Sequence, residues 1–327
     1  MAVLYIKEQG SMIVKRSERI VVTKGREELL EMPVANIDNI AIIGNVQIST
    51  QALHMLMEKG IDVSYFSLNG KYLGHAFSDS SKNVFLRFSQ YKIYQDIEKR
   101  LLMAKIIVNN KIQNQINVIY NHRWSNGYDY KRDIQQMKKL QFSLSEKKTP
   151  NEILGIEGKC SNIYFGAYGQ MFVSKIKFNG RNRRPPRDPV NVILSLGYTF
   201  LTKDICSVLE AESFEMYLGF LHGIRYGRKS LALDIVEEFR QPIIDRLVVY
   251  SFNKGIFSYE DFEENNDLPM LNEEGFAKFC QTYEKWLRNN KYSKQTYSYR
   301  EIIKKQAKIL KKAIQNDTEY VPYVWEK

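Results

Sequence analysis

VFLRFSQYKIYQDIEKRLLMAKIIVNNKIQNQINVIYNH, residues 84–122, decides the fold. Apolar residues recur at helical spacing over nearly forty positions, and neither glycine nor proline interrupts them. A run of that length and period is helix and far exceeds a strand. The residues before it read differently. SMIVKR, RIVVT, DNIAIIG, DVSYFS and KYLGHAF are short, alternating or β-branched runs, separated by Gly10, Gly25, Gly44 and the turn LNG at 68–70. One interruption, STQALHMLMEKG at 49–60, has helical spacing and a glycine stop. The polar stretch SDSSKN at 78–83 separates the two regimes. The expected fold is therefore α+β: a small β-rich N-terminal domain with one helix over residues 1–80, a linker at 81–92, and a larger all-α domain over 93–327.

Helix starts punctuate the second part. TPNE at 149–152 offers Thr149 as N-cap, Pro150 at the first helical position and Glu152 to close a capping box. Asp188 and Pro189 repeat the device. Ser230 is the expected cap of LALDIVEEFR, with Pro242 as its stop. The end of the sequence reads as a basic amphipathic helix and a short aromatic tail.

Composition narrows the class. An apolar share of 44% in 327 residues supports a buried core without disulfides. Cys160, Cys206 and Cys280 lie far apart with no metal-ligand spacing, which argues against a zinc site and for a reducing compartment. After Met1, only the five apolar residues Ala2–Ile6 precede Lys7 and Glu8, too few for a signal segment, and no later window is expected to approach eighteen apolar residues. No membrane partner and a cytoplasmic location are the expectation. Lys and Arg exceed Asp and Glu by 48 − 37 = 11, a balance that favours a polyanionic partner, nucleic acid first.

The residues able to do chemistry fall in three places. Asp234, Glu237 and Glu238 lie on LALDIVEEFR, opposite an apolar face of Leu231, Ala232, Leu233, Ile235, Val236 and Phe239, which is also the pattern of a solvated acidic face. His222 follows YLGFL, read as the end of an apolar helix, and imidazole beside carboxylates is a normal divalent-metal environment. Glu157 stands in an apolar helix between Gly155 and Gly158, where another backbone could come close. Between them, KIKFNGRNRRPPRDPVN concentrates Lys175, Lys177, Arg181, Arg183, Arg184 and Arg187, a pattern suited to gripping phosphate. Phosphate-binding arginines beside metal-binding acids describe a phosphodiester site.

GIEGKCSNIYF at 155–165, NRRPPRDPVNVILSLGYTFL at 182–201 and GFLHGIRYGRKSLALDIVEEFRQPIIDRLV at 219–248 resemble, in order, the blocks of the CRISPR-associated endonuclease and spacer integrase family called Cas one. LNEEGFAKFCQTYEKWL and YREIIKKQAKIL resemble it more loosely. The resemblance implies that Glu157, His222 and Glu237 are catalytic ligands of Mn²⁺ or Mg²⁺, with Asp234 supporting them from behind. Glu237 is selected over Glu238 only by the family's spacing from the histidine. Arg181, Arg183, Arg184, Arg225 and Arg228 are the inferred phosphate contacts.

The implied activity is insertion of short foreign DNA fragments into a CRISPR repeat array by 3′-hydroxyl attack on a phosphodiester. The implied partners are double-stranded DNA, a second copy of the chain, for which the N-terminal domain supplies dimer and DNA contacts, and the small protein Cas two in a heterohexamer. Two other readings stay open: a metal-dependent nuclease of branched repair intermediates, and a non-catalytic DNA-binding scaffold.

Overall fold

A computed structural model describes residues 2–68, 70–76, 83–122, 127–173, 176, 178–265, 268–293 and 296–326. The chain divides into two compact units, Met1–Ser80 and Ser81–Lys327. Most of the SDSSKN stretch, Asn69, Lys175 and Lys177 lie outside the described residues.

The first unit contains β1 (Ala2–Ile6), β2 (Met12–Arg16), β3 (Arg19–Lys24), β4 (Glu27–Pro33), β5 (Ile37–Ile43), β6 (Gln47–Ile48), α1 (Thr50–Glu58), β7 (Asp62–Phe66) and β8 (Tyr72–Ala76). They form two four-stranded sheets, ordered β4-β3-β2-β6 and β1-β5-β7-β8. Strands β1, β5 and β7 run parallel, and β8 returns antiparallel. Ile13, Ile20, Ile40, Ile42, Leu56 and Val63 are among the side chains of their common core. Helix α1 keeps the expected glycine stop: Ser49 caps its start, and Gly60 takes the positive φ that glycine tolerates best. The sequence runs did not single out β4. Its Glu28 and Glu31 break the alternation but pair with Arg16 at 2.5 Å and Arg19 at 2.6 Å, so exposed cross-strand ion pairs take the place of an apolar stripe.

The second unit is helical: α2 (Val84–Gln95), α3 (Ile97–His122), α4 (Lys131–Phe142), α5 (Pro150–Gly169), α6 (Pro189–Ala211), α7 (Ser230–Val236), α8 (Arg246–Asn253), α9 (Glu273–Arg288), α10 (Asn290–Ser293) and α11 (Tyr299–Asn316). A short hairpin of β9 (Phe262–Asn265) and β10 (Leu268–Leu271) is its one departure from all-α among the described residues. The expected linker over 81–92 is corrected here, because Val84 onward is helix and Asn83 caps it by accepting from Leu86 N at 3.1 Å. The long run breaks at Asp96, whose side chain accepts from Lys99 N at 3.0 Å and so starts a second helix without glycine or proline.

Two starts match their signals. Thr149 and Glu152 make the full capping box on α5, and Asp188 caps α6 with Pro189 inside it. Ser230 does not cap α7. It is the first helical residue, and its hydroxyl donates back to Gly223 O at 3.1 Å. Helix α6, with 23 residues, is long and apolar enough to cross a membrane by composition, against the expectation from the sequence. Val190, Ile193, Leu194, Leu201 and Ile205 on it are buried in the unit.

Candidate metal and phosphodiester site

Three helical segments bring the acids together. Helix α5 turns Ile153, Ile156, Cys160 and Tyr164 into the core and leaves Glu157 at the edge of that stripe. Helix α3 packs on α5 and carries Lys111 at a core position, in line with Ile107, Val108 and Asn114. An isolated buried ammonium is costly, so its partners decide whether it can stay. Its Nζ contacts Glu157 Oε1 and lies 2.7 Å from Glu237 Oε2. Arg240 holds the other oxygen of Glu237 at 2.7 Å. Burial opposes ionisation of Glu237, but the Arg240 guanidinium and the Lys111 ammonium outweigh it and hold the carboxyl down at about 2.

His222 completes the group. It lies between α6 and α7 on irregular backbone, not at the end of a helix as the sequence suggested. Asp234, fully buried, fixes it by accepting from the backbone N–H groups of Phe220, Leu221 and His222 at 2.5, 3.0 and 2.9 Å and bonding His222 Nδ1 at 2.7 Å. That bond leaves Nε2 as the uncommitted ring nitrogen, the usual arrangement behind a ligating histidine. His222 also contributes electrostatically to holding Glu237 down, behind Arg240 and Lys111. The site opens on the side of Glu157 and His222, whose side chains are 21% and 25% exposed, against 5% for Glu237. Gly155 and Gly158 flank Glu157, and a methyl group added at either would meet no atom within 4 Å, so backbone or ligand can approach there.

Glu238 belongs elsewhere. It is fully buried, accepts from Tyr320 Oη at 2.5 Å and Tyr323 N at 3.0 Å, and burial pushes its carboxyl up to about 7. The tail that supplies those donors is tied to α3 through Asn110, Asn114 and Asn117. All three acids opposite the apolar face are therefore enclosed, at 0%, 4% and 0% exposure for Asp234, Glu237 and Glu238, and the solvated acidic face is corrected. Nor does Pro242 stop the helix. Wide π turns from Arg240 to Asp245 carry the chain on into α8, and the carbonyl of Glu238, four residues before the proline, accepts from Asn114 Nδ2 at 2.9 Å.

The basic loop is ordered from within. Asn182, Asp188 and Asn191 knit residues 180–191 together, which leaves Arg183 and Arg184 exposed. Arg181 turns inward, donating to Asn191 Oδ1 at 2.8 Å and Ser195 Oγ at 3.0 Å, and its guanidinium stacks on Tyr198. Arg240 stacks on Tyr198 too, so this loop adjoins the acid site. After His222, Arg225 is exposed, whereas Arg228 folds back on Ser230 and the Gly223 carbonyl.

Sequence reasoning missed Lys111, Arg240 and Asp245. Asp245 is fully buried, accepts from Tyr198 Oη at 2.5 Å and Tyr164 Oη at 2.8 Å, and burial still raises it to about 6. A carboxyl raised above its ordinary 3.8 favours the folded state when protonated. Its contribution is complete below that value and is lost as pH rises through about 6. Asp245→Asn is expected to flatten the fall in Tm between about pH 4 and 7, read by calorimetry. An unchanged profile would rule out this titration.

Among the described residues no three His, Cys, Asp or Glu side chains gather as a ready-made metal cluster. The donor set nevertheless suits a divalent ion. Glu237 Oε2 is buried with only the poorly directed Lys111 ammonium beside it, and Glu157, 21% exposed, shares that ammonium.

The family model for CRISPR associated protein Cas1 matches residues 4–285. The chain belongs to the Cas1 family. The CRISPR-associated endonuclease Cas1 3 of Thermus thermophilus is 32% identical over 98% of this chain and 96% of its own length. A CAS1 protein from Thermotoga maritima superposes with a TM-score of 0.84 at 25% identity, covering 100% of this chain and 99% of that one. A casposase bound to integration product shares the fold at 22% identity and a TM-score of 0.85, covering 100% and 96% of the two chains. A chain of a Cas6-RT-Cas1–Cas2 complex shares it at 24% identity and 0.82, covering all of this chain and 36% of that one. The Cas1 resemblance in the sequence blocks thus extends over the whole fold.

Proposed function

We propose that this Cas1 chain is a metal-dependent DNA endonuclease and integrase that joins short foreign DNA fragments to a CRISPR repeat array. The observation that carries the reading is the pairing of Glu157 and Glu237 through Lys111, together with an Asp234-held His222 that acts electrostatically on Glu237 and with outward-facing Arg183 and Arg184. Glu157, Glu237 and His222 Nε2 would hold Mn²⁺ or Mg²⁺. Such an ion, when bound, polarises a scissile phosphate and stabilises charge on the attacking or departing oxygen. Asp234 keeps the imidazole in place and Arg240 keeps Glu237 ionised and oriented. In strand transfer, the fragment's 3′-oxygen forms the new bond to phosphorus as the target strand's 3′-oxygen leaves, and the hydroxyl proton passes to solvent. In the nuclease direction water is the nucleophile. The chain needs no covalent nucleophile of its own.

The partners we propose are double-stranded DNA, a second copy of this chain through the N-terminal unit, and Cas2 in a heterohexamer, in a cytoplasmic setting. Labelled fragment, supercoiled repeat plasmid and manganese test the reading together. Joined product supports it. Cutting of branched DNA without joining would favour a repair nuclease, and binding without any strand chemistry a scaffold.

The basic loop supplies a second test. Arg183→Ala with Arg184→Ala should weaken binding to all sequences alike. It should also flatten the log–log salt dependence by about one unit for each phosphate the loop no longer grips. An unchanged slope would show that this loop does not meet DNA.

A further inference from the structure

Glu157 and Glu237 do not face each other across open space; they share one ammonium. We infer that Lys111 is a built-in stand-in for the divalent cation, holding the two carboxylates together in the metal-free protein and leaving them when the ion binds. The inference rests on the proposed cation site.

Charge decides between the candidates. Glu157 and Glu237 bring two negative charges, and Lys111 and Arg240 bring two positive ones, so the group is neutral as it stands. An ion of charge two added beside both cations would face like charge at contact distance in a largely buried setting, where screening is weak. One cation must withdraw for the ion to bind well. Arg240 is the poorer candidate, because its planar guanidinium is held both by Glu237 and against the Tyr198 ring. Lys111 is a point charge on a flexible four-carbon stem. Its well-directed hydrogen bond goes to Glu157, and its 2.7 Å approach to Glu237 Oε2 is poorly directed, so the second interaction is chiefly electrostatic. A lysine here keeps two buried carboxylates from repelling each other before the ion arrives and can then be exchanged. Lys111 is thus a positioning residue whose pairing and the ion's binding are two sides of one coupled equilibrium.

The test is Mn²⁺ titration of the full chain, followed by electron paramagnetic resonance, with Tm measured with and without the ion. Lys111→Met should bind Mn²⁺ about tenfold more tightly than wild type, within the usual range of coupled binding. Its metal-free form should melt lower and gain more from Mn²⁺ than wild type does. Lys111→Arg, whose fork can grip both carboxylates, should bind the ion about tenfold more weakly. Should Lys111→Met fail to fold, Lys111→Gln keeps a neutral donor in place and carries the same expectation of tighter binding. Wild-type affinity in both the neutral and the arginine variants would overturn the inference while leaving the cation site intact. Glu157→Gln separates the two failures: if it binds Mn²⁺ as wild type does, the cation site itself is wrong and the role of Lys111 falls with it.

Discussion

Glu237→Gln is expected to abolish manganese-dependent strand transfer, and Glu238→Gln to retain most of it. The two glutamates are adjacent, both are buried, and both follow the same short helix, so the pair isolates position from composition. Glu237 Oε1 is held by Arg240, and Oε2 faces the place that Lys111 and Glu157 share. A glutamine there keeps the shape but removes the charge that attracts a cation and sets an N–H₂ group against Lys111 or Arg240. Loss of a supporting group behind a metal ligand typically costs about 10–100-fold, so loss of a ligand should exceed about a hundredfold. Glu238 instead accepts from Tyr320 and Tyr323 and sets no charge against the site. With its carboxyl raised to about 7, it is already close to half protonated at neutral pH, and an amide is a near neighbour of that form. Gel-based joining assays on both variants decide the matter. A dead Glu238→Gln beside an active Glu237→Gln would move the ligand one residue along, from Glu237 to Glu238.

Much of this arrangement was legible in the sequence because its signals are local. The Thr149 capping box, the Asp188–Pro189 start and the glycine after α1 each act within a few residues, and each forms as expected. What stayed hidden depends on partners far along the chain. A helical wheel sees Asp234, Glu237 and Glu238 opposite an apolar face, but not the backbone of 220–222, the side chain of Lys111 or the tail at 320–323 that enclose them. Lys111 itself looks like one more charge on a long helix, and only its place in line with Ile107 and Val108 hints that it is buried. Asp245 gathers Tyr164 and Tyr198 from two other helices, a grouping no spacing reveals. Pro242 misleads for the same reason, since the carbonyl it would strand is satisfied by Asn114 from α3.

Glu157→Gln and His222→Ala should each stop strand transfer while leaving DNA affinity within a few-fold of wild type. Affinity for DNA comes mainly from phosphate contacts and counterion release, which Lys and Arg side chains such as Arg183 and Arg184 supply. The effect of the Glu157 and His222 variants belongs to the chemical step, where charge on the phosphate oxygens must be met. Asp234→Asn supplies the graded case. Asparagine can still accept through one oxygen, but it cannot serve three backbone N–H groups and the His222 ring as a carboxylate does. Activity should fall by about 10–100-fold, between wild type and the ligand variants. A drop in Tm is also expected there, since fully buried Asp234 anchors the 220–222 backbone, so joining must be measured below the variant's own melting point. Mn²⁺ titration completes the set: Glu157→Gln and His222→Ala should each need far more of the ion for any residual joining. Full joining by either at saturating manganese would remove that residue from the ligand set, whereas failure to bind DNA would move it from the chemistry to the DNA interface.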